Sequence, residues 1–404
     1  MSTKSNKARI PRIILLVESS RGSGRALIRG IANYAHHQGP WSFYWEPGGL
    51  EKAWPALRTM EADGIILRDV KKVDEVLASK LPAVVIGHRL SEIPGLINVV
   101  TDSEAIGRMG AEHLLQCGFK QFAFCGHAEN TFEKTVWSEV RCESFSARIR
   151  KAGFEKPPHY ALSNTEEDWP KERRALARWL ESLAKPVGLM ACNDDCGQQV
   201  MEACKLAGLS VPDQVGVIGA DNDEVVCGLT DPPLSSVAIN FERAGYDAAQ
   251  ALDRLMRGFK SVPPARITAL APYIVTRRST DFVAADEPHL TRALQFIRDQ
   301  GRTGLSINDV ARVAGLSRRA LEKRFRASLG GSILQEIRRV RIDHIARLLV
   351  ETDLPVSSIA ESLGFSDPHH FARYFRAGKH TSPLRYRRTN ARYGTGKNPP
   401  SRGM

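Results

Sequence analysis

The feature that most narrows the fold is a helical pattern written twice. From Gly304 the chain reads Gly-Leu-Ser-Ile-Asn-Asp-Val-Ala-Arg-Val-Ala-Gly-Leu-Ser-Arg-Arg-Ala-Leu-Glu-Lys-Arg-Phe325. Ala311, Gly315, Ser317, Leu321 and Phe325 have the spacing of a helix, a tight turn through glycine, a capping serine and a second helix with apolar residues one turn apart. Ala360, Gly364 and Ser366 repeat the first three positions 49 residues on, and Phe371 and Phe375 follow with one residue inserted after the cap. One copy fits an ordinary helical hairpin as well as a DNA-binding unit; an internal repeat points to a tandem helix-turn-helix.

Charge follows the same division. The chain of 404 residues carries a formal net charge of +12, yet residues 286–404 hold 22 Lys+Arg against 11 Asp+Glu, so residues 1–285 are close to neutral. A near-neutral body with a basic C-terminal part is the pattern of a nucleic-acid-binding module attached to something else, the alternative being a basic surface kept for solubility.

The exposed face expected of the first second-helix carries Arg318, Arg319, Glu322, Lys323 and Arg326, with Leu321 and Phe325 turned inward. Arg and Lys there suit guanine edges or phosphates in the major groove, and Glu322 suits a cytosine amino group. The equivalent face of the second copy carries Asp367, His369, His370 and Arg373. Adjacent histidines diverge by about 100° on a helix and have no third ligand nearby, so DNA or solvent contact is expected and no metal. Pro368 suits the first turn of that helix but donates no backbone hydrogen bond. A connecting helix, with Ile337, Val340, Ile345, Leu348 and Leu349 on its apolar face, would fix the two recognition helices; successive major-groove turns lie about 34 Å apart.

The preceding part reads as alternating strands and helices. Continuous apolar runs recur at 12–17, 64–67, 83–86, 122–124, 187–191 and 215–218, the habit of strands buried on both faces of a parallel sheet. Amphipathic stretches lie between them, at 25–37, 105–116, 138–152 and 198–207, and Gly118, Gly153 and Gly208 fall where helix ends want a left-handed residue. Such β-α repeats imply a doubly wound fold with ligands at the carboxyl ends of strands. Polar clusters follow three strands: Glu18 to Gly24, Asn193-Asp-Asp195 and Asp221-Asn-Asp223. Each alone reads as a helix cap or Asx turn, whereas together they suit a neutral polyhydroxylated ligand.

Two family resemblances cover most of the chain. Ala191-Cys-Asn-Asp-Asp-Cys196, Gly216-Val-Ile-Gly-Ala-Asp-Asn222, Leu234-Ser-Ser-Val-Ala238, Gly245-Tyr-Asp-Ala-Ala249 and Val99-Val-Thr-Asp102 resemble, in order, the effector domain of LacI-type repressors and periplasmic sugar-binding proteins over about residues 11–280. The resemblance implies two α/β lobes with three crossings and a sugar-sized ligand in a cleft. It would make Arg141 a ligand-facing arginine and Asn193, Asp194, Asp221 and Asn222 strand-end ligands. Trp137 and Phe132 would stack on a pyranose ring or serve core packing, and Arg25 would line the pocket or pair with a nearby carboxylate. The departure from the LacI-type plan is that only a basic tail of about ten residues, and no helix-turn-helix, precedes the first strand.

The second resemblance lies in Ile359-Ala-Glu-Ser-Leu-Gly-Phe-Ser366, His370-Phe-Ala-Arg-Tyr-Phe-Arg376 and Thr381-Ser-Pro-Leu-Arg-Tyr-Arg387, which are similar to the AraC-type DNA-binding domain over about residues 288–388. By position in that family's pattern, Arg319, Glu322 and Lys323 would read bases in the first site, and His369 and Arg373 in the second. An effector domain of the first kind ahead of a DNA-binding domain of the second, with Arg277-Arg-Ser-Thr-Asp281 at the junction, resembles the regulators of xylose operons. The expected organisation is a basic tail at 1–10, a two-lobed sugar-binding domain at 11–281, an AraC-type domain at 282–390 and a basic tail at 391–404. The expected partners are promoter DNA, a neutral xylose-like sugar, a second copy of the chain and RNA polymerase.

Other functions have little support. There is no Gly-x-Gly-x-x-Gly after the first strand, no phosphate-binding loop, no Gly-x-Ser-x-Gly elbow and no metal-ligand set, so neither enzyme chemistry nor a cofactor is expected, a sugar-processing enzyme tethered to nucleic acid being the rival reading. The seven cysteines, Cys117 to Cys227, include no Cys-x-x-Cys, which suits reduced thiols in a cytoplasmic protein. The apolar run at 13–17 is far short of a membrane span and lacks the marks of a signal peptide.

Overall fold

The computed structural model describes residues 9–47, 61–68, 78–87, 92–128, 136–163, 169–259, 266–282, 287–301, 304–329 and 331–391. They form two compact units: the first from residues up to 101, 131–136 and 240–270, the second from 102–130, 137–239 and 271 onward.

The first unit is built on a six-stranded sheet. β1 (Arg12–Leu16), β2 (Ser42–Trp45), β3 (Gly64–Arg68), β4 (Ala83–Ile86) and β5 (Ile97–Thr101) lie in the order β2-β1-β3-β4-β5, and a later strand of residues 266–269 adds in parallel beyond β5. Its apolar runs are buried throughout β3 and β4. Helices α1 (Gly22–Gln38) and, later in the chain, Phe241–Met256 pack together so closely that a Cβ at Gly30 would lie 1.9 Å from Glu242 O, and one at Gly245 2.1 Å from Leu27 O.

The second unit repeats the topology. After α2 (Ser103–Gln116) come β6 (Gln121–His127), α3 (Val136–Lys151), β7 (His159–Leu162), α4 (Trp169–Ser182), β8 (Val187–Ala191), α5 (Asp194–Leu206), β9 (Val215–Asp221), α6 (Glu224–Leu229) and β10 (Ser235–Ala238). The order is β7-β6-β8-β9-β10, again with one late strand at the far edge. With α7 (Phe241–Met256) and β11 (Arg266–Ala269) assigned to the first unit, that edge strand is β12 (Tyr273–Val275). It pairs antiparallel with β10, so the expected all-parallel sheet holds for every pair but this one. The expected helix-ending glycines Gly118, Gly153 and Gly208 all have positive φ.

The helices after a 3₁₀ turn at Arg278–Thr280 belong to this second unit as well: α8 (Pro288–Gln300), α9 (Ile307–Ala314), α10 (Arg318–Leu329), α11 (Ile333–Glu351), α12 (Val356–Ser362), α13 (Pro368–Lys379) and α14 (Pro383–Asn390). They enclose two cores. Leu290, Leu294, Ile297, Val310, Leu321, Phe325 and Ile337 fill one; Ile345, Leu349, Ile359, Leu363, Phe371, Phe375 and Tyr386 fill the other. α11 enters both, its first half in one core and its second half in the other, which makes it the splint between them. Among the described residues no helix is long and apolar enough to cross a membrane.

Candidate functional site

The two helix-turn-helix units are built by equivalent local devices. Ser306 caps α9 in a reciprocal capping box with Asp309, and Gly315 ends the helix at φ 69; Gly364 occupies the same place in the second unit at φ 76, a conformation that a side chain disfavours. Ser317 Oγ then accepts from Ala320 N at the start of α10. At the start of α13 Pro368 has no N–H to offer, and Asp367 accepts instead from His369 N at 2.8 Å and His370 N at 3.1 Å.

On α10, Leu321 and Phe325 are buried while Arg318, Arg319, Glu322, Lys323 and Arg326 are exposed. Arg319, Lys323 and Arg326 form no ion pair among the described residues, but Glu322 accepts from Arg318 Nε at 2.9 Å, so both would have to separate before either met a base. On α13, Phe371 and Phe375 are buried and His369, His370 and Arg373 exposed. The His370 ring lies edge-on to Phe365 at 5.5 Å, which makes it partly a packing residue. Arg341 on α11 is not part of this face: its guanidinium lies 4.1 Å from the Phe365 ring centre and donates to Leu363 O.

The other cluster is at the carboxyl ends of β6, β8 and β9. Sheet order reverses between β6 and β8, the switch point at which α/β sheets open a crevice. Arg141, in the first turns of α3 and 2 % exposed, reaches this point. Its Nη1 donates to Cys192 O beyond β8 and lies 3.7 Å from Asp221 Oδ1 at the end of β9, and the guanidinium sits 4.6 Å from the Trp137 ring centre. Arg141 Nε is buried with no hydrogen-bond partner among the described residues. Burial pulls the Arg141 pKa down and Asp221 opposes that pull. Asp221 and Asn222 both have positive φ, 102 and 53, which only firm surroundings sustain in non-glycine residues.

The expected ligand residues thus divide. Arg141, Trp137, Asp221 and Asn222 converge, although Trp137 faces the guanidinium of Arg141. Asn193 caps α5, its Oδ1 accepting from Cys196 N at 2.9 Å. Asp194 is 2 % exposed and spends its oxygens on Ser236 Oγ at 2.6 Å and Asp223 N at 2.8 Å. Burial, and then the nearby Asp221 charge, raise its pKa well above the usual carboxylate value. In the first unit Arg25 Nη1 donates to Ser19 O and Ser20 O, bracing the loop after β1. Phe132 lies outside the described residues.

Two residues of this cluster lie in the motifs Leu234 to Ala238 and Arg277 to Asp281 but were not expected at the site. Ser236 donates to Asp194 and accepts from Asn222 N, and Arg277 donates from Nη2 to Asn222 Oδ1 at 2.8 Å. The signal for the first was a pair of serines inside an otherwise apolar run, Leu234 to Ala238. Among the described residues no group of three or more His, Cys, Asp or Glu is placed to hold a metal ion.

Comparison with known proteins agrees with both halves. The family model of the periplasmic binding protein-like domain matches residues 111–280, and that of a helix-turn-helix domain matches residues 310–389. The xylose operon regulatory protein of Escherichia coli K12 is 28% identical over 386 residues, covering 94% of this chain and 97% of that protein. The protein of the same name from Haemophilus influenzae is 27% identical over 93% of this chain and 98% of its own length. Among solved structures, that of the xylose-binding transcription activator XylR superposes with a TM-score of 0.60 at 28% identity, covering 95% of this chain and 99% of that one.

Proposed function

Since the chain is a transcription regulator that joins a periplasmic binding protein-like domain to an AraC-type helix-turn-helix domain, we propose that it binds promoter DNA through both helix-turn-helix units and activates genes of pentose catabolism when D-xylose or a closely related sugar occupies the strand-end cluster. The observation that carries the effector half is the buried Arg141 beside Asp221 at the switch point of the second sheet. A cation and a carboxylate in contact leave little net charge for the ligand to meet, and the buried Arg141 Nε remains a donor in search of an oxygen. The names of the relatives support xylose over other neutral sugars.

In this reading Arg319, Lys323 and Arg326 make the first set of groove and phosphate contacts, with Arg318 and Glu322 joining once their mutual pair opens. His369, His370 and Arg373 make the second set. The protein acts in the cytoplasm as a homodimer and touches RNA polymerase. Sugar shifts DNA engagement only by its difference in affinity between two arrangements of the protein.

The test joins two titrations. A pentose panel in calorimetry should give binding with D-xylose and none with Arg141→Met, and labelled duplex selected from a random pool should bind with a steep loss as salt rises. No heat with any pentose would remove the effector assignment; binding that ignores salt and sequence would remove the DNA-binding one.

A further inference from the structure

The stretch from Pro272 to Phe282 touches the strand-end cluster, the core of the second helix-turn-helix and, through Asp281 and Arg298, a helix of the first. At its centre Arg277 donates from Nη2 to Asn222 Oδ1 and from Nη1 to Leu234 O, each at 2.8 Å. Arg277 N donates to Ser235 Oγ at 2.8 Å, and the Ser235 hydroxyl donates back to Arg277 O at 2.9 Å. Thr280 Oγ1 lies 2.7 Å from Ser235 Oγ and 2.8 Å from His113 Nε2, and Ser279 Oγ donates to Val217 O at 2.6 Å. Ser235, Ser279 and Thr280 are each 0% exposed.

The two ends of the stretch are fastened to different cores. Toward the N-terminal end, the Tyr273 hydroxyl donates to Glu351 at the end of α11 at 2.5 Å, and Pro272 O accepts from the Tyr386 hydroxyl of α14. Tyr273 and Ala238 are packed into the core that holds Ile345, Leu349, Phe371 and Phe375. Toward the C-terminal end, Asp281 pairs with Arg298 of α8, the helix that supplies Leu294 and Ile297 to the other core. Phe282 stacks on Phe119, ring centres 4.3 Å apart.

We propose that Pro272–Phe282 is the element that carries effector occupancy to the DNA-binding domain, with Arg277 as the positioning residue that senses Asn222. The inference rests on the sugar-responsive reading above. A ligand that bonds the Asn222 side chain competes with Arg277 for Oδ1, at a backbone already held in the left-handed region. Arg277 cannot yield alone: its own N–H and C=O are tied to Ser235, which is tied through Thr280 to His113. A buried hydroxyl left without a partner is costly, so the turn moves as one piece. What moves is anchored to both recognition units, and a rigid element whose position both sites bias is the physical basis of coupling.

Full-length wild type, Arg277→Met and Tyr273→Phe are compared by thermal shift with D-xylose and by anisotropy on the selected duplex with and without D-xylose. The expected result is that Tyr273→Phe keeps xylose affinity within about threefold, that Arg277→Met, relieved of the competition for Asn222, binds xylose as tightly as wild type or more tightly, and that in both the sugar-dependent change in DNA affinity, about 5–150-fold between coupled sites, falls below about twofold. A wild-type change in both variants overturns the proposal. If Arg277→Met gives no cooperative melt, Tyr273→Phe decides by the same ratio. If D-xylose shifts nothing in wild type, the effector reading fails by itself and the coupling is read without ligand. Asn222→Ala should then alter DNA affinity in the wild-type background and leave it unaltered in Arg277→Met or, where that variant does not fold, in Tyr273→Phe; equal effects in both backgrounds, or none in either, overturn it.

Discussion

Gly219 and Asp194 approach so closely that a Cβ at position 219 would lie 2.3 Å from Asp194 Oδ1. Position 219 is glycine because the start of α5 leaves no room beside it, the Asp194 carboxylate there being fixed by Ser236 and Asp223 N. Asp194 is therefore a brace between β9, β10 and the turn into α6.

Gly219→Ala should destabilise the protein by about 1–3 kcal/mol, since it forces either the strand or the carboxylate to shift and exposes buried partners to loss. The melting temperature should fall, and Ser236→Ala, which removes one partner without crowding, should lower it less. A Gly219→Ala protein that melts with the wild type would show that Asp194 has space the structure does not give it.

Arg141 offers a second contrast. Arg141→Met takes the guanidinium away from the partly buried Asp221, a change that costs about 3–5 kcal/mol when such a pair is fully buried. Arg141→Lys keeps the charge and loses the fork that reaches Cys192 O and Asp221 together. The lysine variant should melt close to wild type and bind the sugar at least about tenfold more weakly, whereas the methionine variant should lose both properties. Wild-type sugar affinity in Arg141→Lys would remove the guanidinium from the site.

Much of this arrangement was legible beforehand, for identifiable reasons. Central strands such as Val187–Ala191 are buried on both faces and so read as continuous apolar runs. The edge strands β2 and β7 are only four residues each and mostly exposed, so neither carries the continuous buried aliphatic run by which the central strands were read, and they escaped notice. The recognition faces were legible because helix periodicity alone separates Leu321 and Phe325 from Arg319 and Lys323. The strand-end cluster was only half legible: an acid or amide after a strand is written the same way whether it meets a buried arginine, as Asp221 does, or caps and braces, as Asn193 and Asp194 do. Arg277 was invisible as a participant because its partner, Asn222, is 55 residues away in the chain.

Two of the basic residues of α10 should behave differently. Arg319→Ala should cost about 1–3 kcal/mol on the preferred duplex and relax selectivity at one or two base pairs, as for a bidentate base contact. Arg326→Ala should weaken binding by a similar factor on every sequence and reduce the salt dependence by about one ion. Glu322→Ala has a sign of its own: it frees Arg318 from their 2.9 Å pair, so nonspecific affinity should rise. Competition anisotropy with variant duplexes at three salt concentrations separates these outcomes, and a loss of selectivity in Arg326→Ala alone would exchange the two roles.

His113 gives the pH dependence a definite direction. It is 2 % exposed, and burial first, then the Arg339 and Arg298 cations, hold its pKa well below the usual value near 6.5. The neutral Cys117 thiol, its pKa raised by burial, and the Thr280 hydroxyl complete its surroundings. The unfolded chain accepts a proton on this ring below about pH 6.5 while the folded chain refuses it, so stability is lost as pH falls, by at most about 1.4 kcal/mol per pH unit. Asp194 acts in the opposite sense, its raised pKa letting the folded state gain stability on acidification. Comparing wild type with His113→Gln, in which an amide can still donate to Thr280, cancels Asp194 and the other histidines. Between pH 7.5 and 5.5 the melting temperature should fall further in wild type than in His113→Gln; equal falls would mean that the ring takes up its proton without unfolding.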